Sequence, residues 1–111
     1  MIFTPTNAAL VMSGRKTQTR RPVKAGEHRA PYQVGRGYAV QPGRGKPGIG
    51  HIRITRVRME QVQYISSRDC RAECAKTLLD YARIWDGIYH ATEYRWSANP
   101  WVRVYTFEVI D

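Results

Sequence analysis

The chain has 111 residues, a formal net charge of +9 from 18 Lys and Arg against 9 Asp and Glu, and 42% hydrophobic residues. That is enough for one modest core in a single domain over residues 1–111, with no room for a second. No apolar run approaches the roughly 18 residues that a membrane span needs, and no charged segment followed by an apolar one marks a secretory leader, so a cytoplasmic protein without a membrane partner is expected.

The charge is unevenly spread. Residues 1–58 hold 12 bases and a single acid, Glu27, whereas residues 59–111 hold six bases and eight acids. One basic face follows from this, and such a face attracts phosphate, most simply that of a nucleotide or nucleic acid. Solubility alone is the competing explanation.

Met1–Phe3 is a short apolar start, expected to be a strand. Thr4-Pro5-Thr6-Asn7 opens a helix with a capping residue and Pro in its first turn. Ala8–Met12 continues it, and Gly14 suits the left-handed position that closes helices. Next comes the densest stretch of donors in the chain, Gly14-Arg15-Lys16-Thr17-Gln18-Thr19-Arg20-Arg21-Pro22, with four cations, no acid and two hydroxyls. Framed by Gly and Pro, it reads as a site; a solvated basic edge strand is the plainer alternative.

Residues 23–37 read mostly as loop. Tyr38–Gln41 is a short strand, and Pro42–Gly48 a basic loop that lacks the spacing of a phosphate-binding NTPase loop. Ile49–Tyr64 is the longest strand signal. Its apolar alternation slips phase twice, which predicts bulges, with Arg53, Arg56 and Arg58 on the solvent side. Ser66-Ser67 caps a short helix over Arg68–Cys74, and Thr77, with Asp80 three later, starts another, whose apolar stripe is Leu78, Ala82, Trp85 and Tyr89, joined by Tyr81 and Ile88. After a turn at Asn99-Pro100, Trp101–Ile110 is a closing strand. These elements predict an α+β domain, a small β-barrel of about five strands with two or three short helices packed on it.

Cys70 and Cys74 are four apart with no His beside them, and His28, His51 and His90 are scattered, so no metal site is expected. Both thiols are expected to be buried or half-buried.

The runs SGRKTQTRRP, YQVGRGYAVQPGR, ISSRDCRAECA, IWDGIY and NPWVRVYTFEV resemble the ASCH domain family, the phage and prophage-type members in particular. The resemblance covers nearly the whole chain, and its first motif is specific. It implies a PUA-like barrel and a link to RNA. Members similar to this chain are amidohydrolases that remove the acyl group of N(4)-acetylcytidine, and others are reported as ribonucleases. The amidohydrolase branch uses a Lys, a Thr three residues later and a Glu in an Ala-Glu segment. These map onto Lys16, Thr19 and Glu73. The chain departs from the family pattern at Cys74, where Gly is common, and at Arg36, where an acid is common.

The expected chemistry follows. Thr19 supplies a hydroxyl nucleophile or holds the attacking water, and Lys16 is the base, made less basic by Arg15, Arg20 and Arg21. Glu73 protonates the leaving nitrogen. Arg20, Arg21 and Arg44 are candidates for substrate binding, and Tyr32, Tyr38 and Trp85 for stacking on the base. No cofactor is needed. A modified cytidine nucleoside is the expected small-molecule partner, with RNA a second partner through the basic half. An RNA-binding PUA-like module and a metal-independent ribonuclease are the other two readings. Residues three apart on a straight strand face opposite ways, so a shared Lys16–Thr19 site requires an irregular path between them. The three site positions were expected to be exposed, so that their replacement would barely change stability.

Overall fold

The computed structural model describes residues 1–110. Its first helix, α1 (Pro5–Met12), is set by Thr4, whose side chain accepts the Asn7 backbone N–H, and by Pro5 in the first turn. Gly14 closes it at φ 80°. The strands are β1 (Gln18–Pro22), β2 (Gly37–Ala39), β3 (His51–Gln61) and β4 (Trp101–Val109), and the other helices are α2 (Ser67–Ala72) and α3 (Leu78–Tyr89). They form one curled antiparallel sheet in the order β1-β4-β3-β2. The two long strands lie at the centre; β4 is buried on both faces between Val102 and Tyr105, whereas β3 buries Ile52 and Ile54 and leaves its other face exposed.

The fold is α+β and barrel-like, with four strands and not five among the described residues. The expected first strand is reduced to a single parallel bridge between Ile2 and Gln41. Phe3 N–H reaches Gln41 O at 2.9 Å and Gln41 N–H reaches Met1 O at 3.0 Å. Pro5 then begins the helix, leaving no length for a ladder.

Of the two expected slips in the long strand, the first is a bulge at Thr55, where Ile54 pairs with Phe107 but the next paired residue, Arg56, faces Thr106; the second marks the end of the strand at Gln61, after which Val62–Tyr64 form a 3-10 turn. The extra residue moves the inward positions from Ile52 and Ile54 to Val57, so one strand stays against one core through its bend. Two cores result. One gathers Phe3, Val11, Val40, Ile52, Ile54, Tyr105 and Phe107 under α1. The other gathers Val62, Ile65, Cys70, Tyr81, Trp85, Val102 and Val104 under α2 and α3.

Helix α3 buries Tyr81 and Trp85. Tyr89, one turn further, is half-buried. Leu78 and Ile88, expected in the same stripe, are about half exposed because they fall beside that face. Arg53 and Arg56 project into solvent as expected, but Arg58 turns inward onto carboxylates. No helix is long and apolar enough to cross a membrane among the described residues.

Candidate active site

The basic stretch takes the irregular path that a shared site requires. The backbone N–H groups of Arg15 and Lys16 both reach Leu10 O at 3.1 Å, which holds Lys16 against the end of α1. Thr17 N–H then bonds Ala72 O at the end of α2, and only from Gln18 onward does the chain pair regularly with β4. Lys16 therefore precedes the strand, and the strict alternation of faces applies only from Gln18 onward. Lys16 and Thr19 line one cleft of about 360 Å³, with Glu73 beside them.

The cleft lies between the start of α1 and the inner side of α3. Its walls include the apolar Phe3, Pro5, Ile84 and Ile88, and its charged groups gather at Lys16, Arg20, Arg21 and Glu73. Such sites commonly orient a small ligand by a handful of convergent polar atoms. Here those atoms are buried: Lys16, Thr19, Arg20 and Glu73 are each no more than 6% exposed. The expectation that the three site positions are exposed is therefore overturned. A burial of this kind is tolerated only where charges are paired.

They are paired completely. Lys16 Nζ donates to Glu73 Oε1 at 2.6 Å. Arg20 spreads its guanidinium over three carboxylates, Glu73 at 3.0 Å, Asp69 at 2.8 Å and Glu60 at 3.2 Å, and also donates to Gln18 Oε1. Arg58 closes the network by donating to Glu60 and Asp69. The register explains the arrangement. Arg20 and Arg58 both lie opposite Val104, one on each side of β4, so the two arginines share Asp69 of α2 and Glu60 of β3. Burial works against the Arg20 charge, but Glu73 and the other acidic neighbours outweigh it and raise its pKa above the ordinary value. Tyr81 O–H lies 3.4 Å from Glu73 Oε2. Burial, reinforced by the nearby Glu73 carboxylate, keeps that phenol protonated well above its usual range.

The other expected site residues are divided. Arg21 lines the cleft, its guanidinium donating to Ile2 O at 2.6 Å and lying 5.1 Å above the Phe3 ring. Arg20 lines it too, but four of its five N–H donors are taken by protein acceptors, so its main work is to hold Glu73 and the neighbouring acids. Trp85 contributes to the wall, yet it is 2% exposed, donates to Tyr94 O and stacks 4.4 Å from Tyr89. Tyr32 and Tyr38 are not in this cleft. They meet edge to face at 5.0 Å and pack on the first core, with Tyr38 O–H accepting the Gln33 N–H. Arg44 is also outside; its neighbour Gly43 reaches the wall while the Arg44 side chain is exposed.

The like-charged surroundings expected for Lys16 are not built: its partner is a carboxylate. Tyr81, Asp69, Glu60 and Arg58 were not singled out from the sequence as site residues. Asp69 and Glu73, four apart at the end of a short helix, were the available signal for two acids on one face. Cys74 explains its own departure from the family pattern. It follows the helix at φ 65°, the left-handed conformation that glycine normally takes.

No family model matches the chain, and no curated protein sequence does. Among solved structures, it is similar to protein EF3133 from Enterococcus faecalis V583, described by the family model DUF984, at TM-score 0.71 and 24% identity, over 96% of this chain and 71% of that one. It is similar to an ASCH domain from Lactobacillus crispatus JV V101 at TM-score 0.68 and 20% identity, over 94% and 70% of the two chains. The hypothetical protein PH0355 matches at TM-score 0.69 and 12% identity, over 99% and 96%. The strand order, the helices and these neighbours together give the chain an ASCH-like fold.

Proposed function

We propose that this protein is an amidohydrolase that removes the acyl group from N(4)-acylated cytidine. The observation that carries the reading is the buried Lys16–Glu73 pair at 2.6 Å in the same cleft as Thr19. A buried carboxylate and ammonium in hydrogen-bond contact, beside a hydroxyl in a cleft, form the kind of arrangement that proton transfer requires. The resemblance of the basic motif to the amidohydrolase branch of the ASCH family supports the same assignment.

In the reaction, one proton moves along the Lys16–Glu73 hydrogen bond, leaving an amine and a carboxylic acid. Thr19 Oγ attacks the acyl carbonyl carbon while its proton passes to the Lys16 amine. Glu73 gives its proton to the cytosine N4, the C–N bond breaks, and cytidine leaves with a free amino group. The acyl group is now an ester of Thr19. Water attacks that ester, its proton goes to Glu73, and Lys16 returns a proton to Thr19 Oγ, which restores the starting pair. Arg21, at the mouth, is the cation available to the pyrimidine carbonyl. Arg20 and Tyr81 hold Glu73 in place through its second oxygen.

The test is to incubate the protein with N(4)-acetylcytidine, with and without EDTA, and follow cytidine by chromatography. Release that is insensitive to EDTA is expected. Absence of release, or release that EDTA abolishes and zinc restores, would refute the Lys-Thr-Glu mechanism.

A further inference from the structure

Arg21 and Tyr89 belong to two clefts at once. Beyond them lies a second cleft of about 410 Å³, whose walls include Tyr32, Tyr89, Tyr94, Lys24 and Glu27. Three tyrosines and two cations around one hollow are not what the proposed hydrolysis needs. Tyr32 packs on one core and Tyr89 and Tyr94 on the other, but all three are only half-buried and keep part of their surface at this cleft, and Lys24 is exposed. Glu27 is the one acid there. Its Oε2 accepts the Lys24 backbone N–H at 3.0 Å and faces Arg103 Nε at 3.6 Å, so its charge is balanced from within. The Lys24 ammonium has no partner among the described residues. The cleft is therefore net cationic as well as aromatic.

That combination suits a nucleotide. Tyrosine faces stack on any base, and Lys and Arg take the phosphate. The position of Arg21 is the decisive feature. The phosphate joining two nucleosides must lie between them, and Arg21 stands on the wall common to both clefts. We propose that the second cleft holds the linking phosphate and the adjoining base of a single-stranded oligonucleotide whose cytidine occupies the first. The natural ligand is then a polynucleotide and not a free nucleoside. This rests on the amidohydrolase reading only for the identity of the base in the first cleft.

Calorimetric titration of the full chain requires no turnover and so tests the proposal apart from catalysis. The ligands are cytidine, cytidine monophosphate, and the dinucleotides CpA and ApC. One dinucleotide is expected to bind at least about tenfold more tightly than cytidine, within the range of about five- to 150-fold that one stacked base contributes. Its affinity should fall with salt with a log–log slope of about −0.7 for one phosphate. Tyr94→Ala and Lys24→Glu should each remove most of the gain, whereas Tyr94→Phe, which keeps the ring, should retain it. Trp85 bonds the backbone carbonyl of residue 94, so that anchor survives in all three variants. Equal binding of cytidine and both dinucleotides overturns the proposal. So does a gain that persists in Tyr94→Ala, or one that cytidine monophosphate matches in full, since that would leave a phosphate site without a base site. A dinucleotide preference in a protein that does not hydrolyse N(4)-acetylcytidine would sustain the two-cleft binding while refuting the catalytic reading.

Discussion

The two sides of the sheet bury different chemistry. Under α1 the interior is apolar, with Ile52, Ile54, Val11 and Phe107 in contact and one hydroxyl, that of Tyr105, buried with no acceptor or donor in good hydrogen-bond geometry among the described residues. Under α2 the interior holds apolar residues too, but at its edge Lys16, Arg20 and Glu73 are buried among Asp69, Glu60 and Arg58. The first side is stabilised in proportion to the area it removes from water, and it tolerates shape changes that keep volume. The second depends on every charge keeping its partner, because an unpaired buried charge costs far more than a lost contact. The site lies on the side where replacement is least forgiving, so loss of activity and loss of folding have to be separated by experiment.

The largest effect expected is on rate. Lys16→Arg keeps the positive charge opposite Glu73 but cannot serve as a base near neutral pH. If Lys16 accepts the Thr19 proton, kcat/KM on N(4)-acetylcytidine should fall by about a hundredfold to ten-thousandfold, as far as in Lys16→Ala. Partial retention of rate in Lys16→Arg would reduce Lys16 to a supplier of charge. Thr19→Ala should be similarly impaired, and the double variant little worse, as for groups that act as one unit.

Next in size is stability. Glu73→Ala leaves the buried Lys16 without its carboxylate and takes one of three from Arg20, and is expected to cost about 3–5 kcal/mol in denaturant unfolding. Phe107→Ala on the apolar side is expected to cost about as much through its cavity. The comparison becomes sharp with shape-preserving changes. Glu73→Gln should still lose stability, whereas Phe107→Leu should lose much less than Phe107→Ala. Equal tolerance on both sides would show that the charged cluster is less dependent on pairing than its geometry implies.

A smaller effect concerns pH. Burial pushes the Tyr105 phenol up to about 12, from an ordinary value of about 10. Its neutral form is favoured by the fold, so this contribution is fully present below about pH 10 and lost as pH rises through about 12. Tyr81 shifts in the same direction. Tyr105→Phe should flatten that alkaline loss, and since the hydroxyl has no partner in good hydrogen-bond geometry among the described residues it should cost nothing at pH 7 or gain up to about 1 kcal/mol. A large loss at pH 7 would mean that the hydroxyl is bonded in solution.

The smallest is Cys74→Gly. It removes a side chain from a left-handed residue and is expected to raise stability by about 1 kcal/mol, read as a shift in melting temperature. No change would mean that the Cys74 side chain offsets the strain by packing.

The helices and their limits were legible in local chemistry. Thr4, Ser66 and Thr77 each cap a helix whose first N–H groups need an acceptor, and Gly14 ends one where only a residue without Cβ is comfortable. The bulge at Thr55 was legible as a slipped alternation, because one extra residue inverts every face beyond it. The grouping of Lys16, Thr19 and Glu73 came from a resemblance of motifs, and the site's setting came from neither source. Arg20 looked like a ligand contact because its acids lie 40, 49 and 53 residues away. Tyr32 and Tyr38 could not be placed outside the Lys16 cleft from the sequence, because the surroundings of an aromatic ring are not a local property. The missing fifth strand has the same origin: whether Met1–Phe3 pairs depends on the edge offered by residues near Gln41. By itself, the sequence determined what is set within a few residues, the caps, turns and periodicities. Partners, burial and the meeting of two clefts at Arg21 were decided only by the tertiary structure, because each depends on groups far apart in the chain.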